Sequence, residues 1–400
     1  MYNVKKITEN LFWVGANDRR IALFEGVYHA PQGVSYNSYI LLDDKTVLLD
    51  TVDKAVTHQF MENVAHVLNG RTLDYLIINH MEPDHCAEIP TILAKYPEVK
   101  IVCNAKIKTM MEQFFDFEIS EEQFQIVNEG DVLNTGKHNL TFLMAPMVHW
   151  PEVMVTYDTT DKILFSADAF GSFGAIDGNI FADEVNWENR YLNEARRYYT
   201  NIVGKYGPQV QMLLKKASAI EINMICPLHG YIWRKDLGKF IDLYQKWSTY
   251  TPEINSVMIA YASVYGGTQN AAEILAGELA ELGVKDIKMF DVSVTHSSYV
   301  VSDMFKYSHI VFASTTYNNG IFVEMENLIH DIVAHNIQNR KVAVIENGSW
   351  APQAGRLMTE LLSQIKNTEF ISSGVSIKSA VKSEKREELK NLAKAIVESM

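Results

Sequence analysis

Apolar and polar positions follow two different patterns along the chain, and the pattern changes near residue 250. Before this point, short apolar runs such as 36–42 and 46–49 are separated by turns, and stretches with helical periodicity at 54–68 and 106–115 come between them. Short apolar runs bounded by turn residues predict strands. Strands in groups with helices between them favour two sheets with helices packed outside. Further strands are predicted at 11–14, 73–78, 99–103, 124–127 and 140–143, and a further helix at 86–96.

The second part of the chain alternates strands and helices regularly. Residues 247–253, which include a proline and several hydroxyl side chains, are predicted to be the boundary between one domain at 1–250 and another at 254–400. Strands are predicted near 256–262, 286–290, 308–314, 341–346 and 369–372, and helices near 269–282, 297–306, 321–335, 354–366 and 383–399. Five parallel strands with intervening helices form a doubly wound α/β sheet, which binds ligands at the carboxyl ends of its strands.

Composition excludes several classes of protein. With 47% apolar and 21% charged residues, the chain has the usual mix of a globular protein with real cores. The net charge of −13 argues against a protein that binds nucleic-acid phosphates. No apolar run is long enough to span a membrane, and the N-terminal residues lack the apolar stretch of a secretory signal, so we expect a cytoplasmic protein.

The cysteines exclude two further kinds of structure. Three cysteines at wide spacing, Cys86, Cys103 and Cys226, do not make a disulfide framework. No Cys-x-x-Cys pair occurs, which excludes a fused iron–sulfur or rubredoxin module. Any one-electron partner is therefore expected to be a separate protein.

The most informative segment is His-Met-Glu-Pro-Asp-His at residues 80–85, between a predicted strand and a predicted helix. If the backbone is extended here, alternation places His80, Glu82 and Asp84 on one side, and Asp84 and His85 must diverge. Such a group is shaped to hold two neighbouring cations. The alternative is a polar loop that caps the following helix.

Three later residues have similar surroundings. Each of the three, His149, Asp168 and His229, ends an apolar run that predicts a strand and precedes a turn. Singly, each is more often a solvated loop residue than a metal ligand. Together with the 80–85 segment they form an ordered set of seven candidate ligands: His80, Glu82, Asp84, His85, His149, Asp168 and His229.

Three loops of the second part, at residues 263–270, 314–320 and 346–351, follow predicted strands. They contain small, hydroxyl and aromatic residues. The first opens a helix, where backbone N–H groups can bind a phosphate, although it has neither the lysine of a P-loop nor a Gly-x-Gly-x-x-Gly fingerprint. It resembles the flavodoxin loop for the FMN phosphate, and the other two fit the loops that bracket the flavin ring. The alternative is three ordinary turns. The candidate FMN residues are Ser263, Val264, Tyr265, Gly266, Gly267, Thr268, Thr315, Thr316, Tyr317, Asn318, Asn319, Gly320, Asn347, Gly348, Ser349, Trp350 and Ala351.

The seven candidate ligands resemble the metal motif of the metallo-β-lactamase fold, an αββα sandwich, with Glu82 in place of a histidine. The resemblance implies His80, Glu82 and His149 on one metal, Asp84, His85 and His229 on the other, and Asp168 as the bridge. Mixed imidazole and carboxylate ligands without thiolate favour iron, while zinc and manganese stay open on ligand type alone. Trp150 could line the pocket or simply pack the adjacent chain.

The whole chain resembles the flavodiiron proteins (A-type flavoproteins), which join these two folds. The resemblance rests on His-Met-Glu-Pro-Asp-His, on His-Trp-Pro at 149–151 and on Asn-Asn-Gly at 318–320. It implies an oxidoreductase with FMN and two non-haem irons that reduces dioxygen to water, nitric oxide to nitrous oxide, or both. It also implies rubredoxin as the electron donor and a head-to-tail homodimer or dimer of dimers.

Electron counting supports this pairing of cofactors. Reduction of dioxygen to water takes four electrons, which two ferrous ions and a reduced FMN supply together, whereas joining two nitric oxide molecules takes two. The sequence does not decide between dioxygen and nitric oxide, and we expect dioxygen. Two other interpretations stay open. The protein could be a two-zinc hydrolase with an appended flavodoxin domain, or an electron carrier or redox sensor whose metal domain serves only as a scaffold.

Overall fold

A computed structural model describes residues 1–117 and 119–400. The chain forms two compact units, of which the first comprises Met1–Tyr199 and Pro208–Gln245, and the second Thr200–Gly207 and Lys246–Met400. Within the described residues, no helix combines the length and the apolar character needed to cross a membrane. The three cysteines are free and buried.

Two sheets dominate the residues of the first unit. Their strands, with those of two two-stranded sheets, β3-β6 and β4-β5, are β1 (Lys5–Lys6), β2 (Leu11–Trp13), β3 (Ala16–Asp18), β4 (Leu23–Phe24), β5 (Tyr28–His29), β6 (Val34–Tyr36), β7 (Tyr39–Leu42), β8 (Thr46–Leu49), β9 (Tyr75–Ile77), β10 (Lys100–Cys103), β11 (Phe124–Ile126), β12 (Val132–Asn134), β13 (Asn139–Met144), β14 (Met154–Asp158), β15 (Ile163–Phe165) and β16 (Met224–Cys226). One sheet has the order β1-β2-β7-β8-β9-β10-β11 and the other β12-β13-β14-β15-β16. The pairs β8–β9, β9–β10, β10–β11 and β15–β16 are parallel.

In sequence, the helices of this part of the chain come between its strands or after the last of them. They are α1 (Thr57–Leu68), α2 (Pro83–Cys86), α3 (Ile89–Lys95), α4 (Ala105–Phe114), α5 (Trp187–Arg190), α6 (Leu192–Tyr198), α7 (Gly207–Ala217) and α8 (Leu237–Ser248). The helix predicted at 86–96 is present as α3 but begins at Ile89, and a separate short helix, α2, ends at Cys86. Pro90 stands in the first turn of α3, where a proline's missing N–H costs nothing, whereas inside a continuous helix it would break a hydrogen bond.

The second unit is a doubly wound sheet. Its elements are β17 (Ile254–Ala262), α9 (Gly267–Glu281), β18 (Lys288–Asp291), α10 (Ser297–Lys306), β19 (Tyr307–Tyr317), β20 (Gly320–Ile321), α11 (Val323–Ala334), β21 (Lys341–Asn347), α12 (Ala354–Leu362), β22 (Glu369–Phe370), β23 (Val375–Ile377) and α13 (Ser383–Ser399). The order is β18-β17-β19-β21-β22, with β23 also beside β21, and all these pairs are parallel.

Continuous apolar strands explain why this sheet lies between helices. Val257 to Ala260 of β17 are fully buried, as expected for a parallel strand covered on both faces. The buried residues of α9, including Ala271, Leu275 and Leu279, recur at helical spacing and pack into the same core as Val257 and Ile259.

Two details of the second unit differ from the sequence prediction. The fifth strand is interrupted and appears as β22 and β23. Residues 315–320 were predicted as a loop, but β19 continues to Tyr317 and returns through Asn318 and Asn319 into β20. Both asparagines have positive φ, 49° and 60°, which suits the tight turn of a two-residue hairpin.

Candidate metal centre and cofactor loops

His80 is held three residues beyond β9 by a buried carboxylate. Asp50 accepts hydrogen bonds from the backbone N–H and side-chain amide of Asn79, both at 2.7 Å, and a longer one from the His80 N–H. Burial raises the pKa of Asp50 to about 6, although these hydrogen bonds lower it. The carboxylate therefore fixes the backbone just before the metal-ligand segment.

The backbone is not extended throughout residues 80–84, so His80, Glu82 and Asp84 do not follow the alternation of a strand. Glu82 has extended φ and ψ of −65° and 140°, but Pro83 begins the short helix α2, so Asp84 and His85 lie on helical backbone. Proline at the first helical position favours this start because its φ is already fixed near the helical value. The helical turn lets Asp84 and His85 approach the same group of side chains, where an extended chain would separate them.

His229 follows β16 and needs the glycine beside it. Gly230 has φ of +75°, and a Cβ on it would lie 2.2 Å from Ser172 Oγ. Its N–H donates to Ser35 Oγ at 2.7 Å, and His229 Nδ1 donates to the Ser35 carbonyl at 2.7 Å. These contacts leave His229 Nε2 free to face the other candidate ligands.

His149 does not end a strand, contrary to the prediction. β13 stops at Met144, and His149 lies within the turn that leads to β14, a strand absent from the sequence prediction. The neighbouring Trp150 ring lies 5.3 Å from the His80 ring, edge to face, and is parallel to Phe114. Trp150 thus packs directly against a candidate ligand.

The seven candidate ligands form two adjacent groups. One contains His80, Glu82, His149 and Asp168, and the other Asp84, His85 and His229, with the potential ligand atoms of each group within 4.8 Å of one another. Asp168 Oδ2 lies 3.2 Å from His80 Nε2 and 3.1 Å from His149 Nε2. Its other oxygen, Oδ1, lies 3.2 Å from His85 Nε2. One carboxylate therefore faces both groups.

The donor atoms of this cluster fit metal ions better than they fit one another. Both carboxylate oxygens of Asp84 and of Asp168 are buried and have no hydrogen-bond partner within the described residues. His85 Nε2 and His229 Nε2 point at each other 3.0 Å apart. Buried unpaired carboxylate oxygens are costly, and metal ions would satisfy them.

Metal binding must displace protons from this cluster. Burial lowers the pKa of His149, but the close carboxylates of Asp168 and Glu82 outweigh burial and raise it to about 9. The pKa of His80 is also raised, because nearby Asp168 outweighs burial. Without metal, His149 is therefore protonated at neutral pH. The protonated ring stabilises the folded protein fully below about pH 6.5, and this stabilisation is lost as the pH rises through about 9.

We expect anaerobic loading with Fe²⁺ at pH 7 to release at least one proton per chain, because an imidazole must be deprotonated to bind metal. The apparent iron affinity should rise with pH up to about 9, the pKa of His149. Potentiometric titration in weakly buffered solution measures both quantities. A pH-independent affinity without proton release between pH 6 and 9 would contradict the assignment of His149 as a ligand.

Three residues near the centre carry no signal in the sequence. Glu152 Oε1 accepts a hydrogen bond from His80 Nδ1 at 2.7 Å. Glu25 lies on the turn between β4 and β5, where burial and the nearby charge of Glu82 raise its pKa. Tyr198 is fully buried, its ring centroid lies 5.3 Å from that of His229, and its hydroxyl has no partner in the part of the chain described. Only the folded chain brings these residues to the ligands.

In the second unit, the loop between β17 and α9 has the features of a phosphate site. Gly266 is the N-cap of α9 without a side-chain cap, so the first backbone N–H groups of this helix are open to an anion. Ser263 Oγ is buried and has no hydrogen-bond partner among the described residues. A Cβ on Gly267 would lie 2.3 Å from the Ser379 carbonyl, so only glycine fits there.

The other two candidate FMN segments end near the same edge of the sheet. Asn347, at the end of β21, exchanges two hydrogen bonds with the Ser379 backbone, at 2.9 and 3.0 Å. Thr316 Oγ1 accepts from the N–H groups of Gln353 and Ala354 and so caps α12. The remaining side chains include exposed aromatics: Tyr265 is 99%, Trp350 86% and Tyr317 45% exposed. An exposed aromatic face is what a flavin ring stacks against.

Comparison with known proteins decides the family. The family described as ODP family beta lactamase matches residues 34–230, and Flavodoxin matches residues 259–391. A nitric oxide reductase from Moorella thermoacetica is 31% identical over 363 residues, which cover 90% of both chains. The chain belongs to the flavodiiron protein family.

Solved structures of this family match over nearly the whole chain. The rubredoxin oxygen:oxidoreductase of the anaerobe Desulfovibrio gigas has a TM-score of 0.92 and 28% identity, covering 99% of this chain and 98% of that one. A variant of the flavo-di-iron protein from Thermotoga maritima has a TM-score of 0.89 and 25% identity, with 99% and 98% coverage. The predicted fold class and family are confirmed, and the chain is an oxidoreductase with a diiron domain and an FMN-binding flavodoxin domain.

Proposed function

We propose that this flavodiiron protein reduces dioxygen to water at two iron ions, with electrons relayed through FMN from rubredoxin. His80, Glu82 and His149 hold one iron, Asp84, His85 and His229 hold the other, and Asp168 bridges them. The phosphate of FMN binds at residues 263–268, and its ring lies between residues 315–320 and 347–351. When bound, the irons and the flavin supply the redox chemistry.

The observation that carries the proposal is Asp168, one buried carboxylate whose two oxygens face different groups of ligands. A site for a single metal ion would not need a second set of ligands. In a polar core that holds no metal, these oxygens would be paired with hydrogen-bond donors. The Glu82 carboxylate lies 3.0 Å from His149 Nε2 and adds negative charge to the site. This favours iron over zinc, since the sites of zinc hydrolases are richer in nitrogen ligands.

The protein around the ligands keeps water away and orients the imidazoles. His80, His85 and His229 are fully buried, and Trp150 covers His80 from one side. Hydrogen bonds at Nδ1 of His80 and of His229 turn Nε2 of each ring toward the cluster. Dioxygen and nitric oxide are small and apolar, so a buried site admits both while limiting the entry of water.

Nitric oxide is a second candidate substrate, because the relative from Moorella thermoacetica is named a nitric oxide reductase. The deciding experiment loads the protein with Fe²⁺ and FMN, supplies electrons through reduced rubredoxin, and measures consumption of each gas in turn. We expect dioxygen to be consumed faster than nitric oxide at equal concentration. Faster consumption of nitric oxide would identify nitric oxide, rather than dioxygen, as the preferred substrate. Consumption of neither, or hydrolase activity without reductant, would overturn the proposal.

We further propose that the active form is a twofold-symmetric, head-to-tail homodimer in which the flavin of one subunit serves the irons of the other. Rubredoxin-driven turnover per chain should then fall on dilution below the dimer dissociation constant and recover on concentration. Analytical ultracentrifugation at matched concentrations provides the control. A monomer with full rubredoxin-driven activity would contradict the dimer.

A further inference from the structure

The candidate iron-binding imidazoles differ in what their Nδ1 atoms contact. His80 Nδ1 lies 2.7 Å from a carboxylate oxygen, Glu152 Oε1. His229 Nδ1 lies 2.7 Å from a neutral acceptor, the Ser35 carbonyl. His85 Nδ1 has no hydrogen-bond partner in the described part of the chain. The only charged Nδ1 partner among these three rings therefore belongs to His80.

Glu152 is held firmly in this position. The side chain is 1% exposed, and its Oε1 also accepts from the Met81 N–H at 3.0 Å. Its own carbonyl accepts from Asn104 Nδ2 at 2.7 Å, and Asn104 is the N-cap of α4. The Glu152 carboxylate is thus tied to the His80 ring and to Met81, the next residue, while its backbone is tied to a helix. The carboxylate cannot turn away without breaking two hydrogen bonds.

A carboxylate acceptor changes an imidazole more than a carbonyl does. It fixes the tautomer and ring orientation and, by drawing on the Nδ1 proton, makes Nε2 a stronger electron donor to a metal. Among the Nδ1 contacts of His80, His85 and His229, the one negative charge therefore lies beside the group of His80, Glu82 and His149. Extra negative charge in a buried site stabilises the more highly charged metal ion.

We propose that Glu152 is a positioning residue that makes the two iron positions unequal. Through His80, it gives the position with His80, Glu82 and His149 the tighter binding and the stronger preference for Fe³⁺, so that this position loses the first electron. This inference rests on the proposed function, because it requires two irons in these ligand groups.

The test uses the full-length protein loaded anaerobically with ⁵⁷Fe and FMN. Each one-electron oxidation passes an electron from Fe²⁺ to ferricyanide and leaves Fe³⁺, and Mössbauer spectra show which of the two ferrous signals is lost. The signal that Glu152→Gln alters is assigned to the position with His80. We expect two distinct ferrous sites in the unaltered protein, one of which is oxidised first. Glu152→Gln, which keeps the size and an oxygen acceptor but removes the charge, should weaken iron binding at that position about 10- to 100-fold and reduce the difference between the two sites.

Asp158→Asn is the matched control. His138 Nδ1 lies 2.7 Å from Asp158 Oδ2, so this buried pair has the same chemistry as His80 and Glu152 but belongs, with Asp161, to a third group of potential metal ligands, separate from the two candidate iron groups. The control should leave both Mössbauer sites and both iron affinities unchanged. Glu152→Asp, which keeps the charge, should retain the order of oxidation and serves if Glu152→Gln fails to fold.

Two failures are distinguishable. If the unaltered protein binds two irons and consumes gas, but Glu152→Gln leaves affinities and spectra unchanged or shifts both positions equally, the inference about Glu152 is overturned and the proposed function stands. If the unaltered protein does not bind two irons, both proposals fail together.

Discussion

Replacing Asp168 by alanine is expected to abolish two-iron binding and, with it, gas reduction. Its two oxygens lie 3.1 to 3.2 Å from the Nε2 atoms of His149, His80 and His85, and so serve both groups of ligands. Loss of an outer hydrogen-bond partner of a metal ligand already costs about 10- to 100-fold in metal affinity. Loss of the shared ligand should exceed about 100-fold, leaving less than one iron per chain after gel filtration.

Iron content and FMN content, measured on the same sample, check this prediction. Asp168→Ala should keep its flavin because the candidate FMN residues belong to the second unit. Asp158→Asn removes another buried carboxylate that also contacts a histidine, and should keep two irons and full gas consumption. An Asp168→Ala protein that retains both irons would refute the bridging assignment.

Replacing Gly267 by alanine is expected to weaken FMN binding by about 10- to 100-fold. The added Cβ would lie 2.3 Å from the Ser379 carbonyl and 2.9 Å from Asn347 Nδ2, and the backbone oxygen cannot move without disturbing β23 and the turn after it. Overpacking of this kind costs about 1–3 kcal/mol, and every 1.4 kcal/mol is tenfold in affinity. Flavin fluorescence on titration of the apoprotein measures the loss.

Gly277→Ala in the same helix is the matched control. Gly277 is exposed, and a Cβ there meets no atom within 4 Å. Alanine is favoured over glycine in an exposed helix by about 1 kcal/mol, so this variant should melt slightly higher and bind FMN normally. Iron content should be normal in both variants. Unchanged FMN affinity in Gly267→Ala would show that the loop at 263–268 does not hold the phosphate.

The second unit was predictable because its signals are local. Apolar strands such as Val257–Ala260 and the helical spacing of Ala271, Leu275 and Leu279 specify their structure within a few residues. The interrupted fifth strand and the β19–β20 hairpin were missed because short strands depend on their neighbours in the sheet.

The candidate ligands were predictable as a set, while their geometry was not. Four ligand-type residues at 80–85 are conspicuous in sequence, but the change from extended Glu82 to helical Asp84 depends on Pro83 and on the Thr51 contacts with the His85 carbonyl. Glu152 was missed because an acidic residue in a turn has no distinguishing pattern. Its role follows only from a hydrogen bond that spans 72 residues of sequence.

In the proposed function, the iron pair and the flavin act together as one store of four electrons. The decisive experiment is stopped-flow mixing of the fully reduced, iron- and FMN-loaded protein with one equivalent of dioxygen per chain, in the absence of rubredoxin. We expect each chain to convert one dioxygen to two waters, with oxidation of the flavin and both irons and no hydrogen peroxide. Accumulation of peroxide, or a flavin that stays reduced while the irons are oxidised, would contradict it.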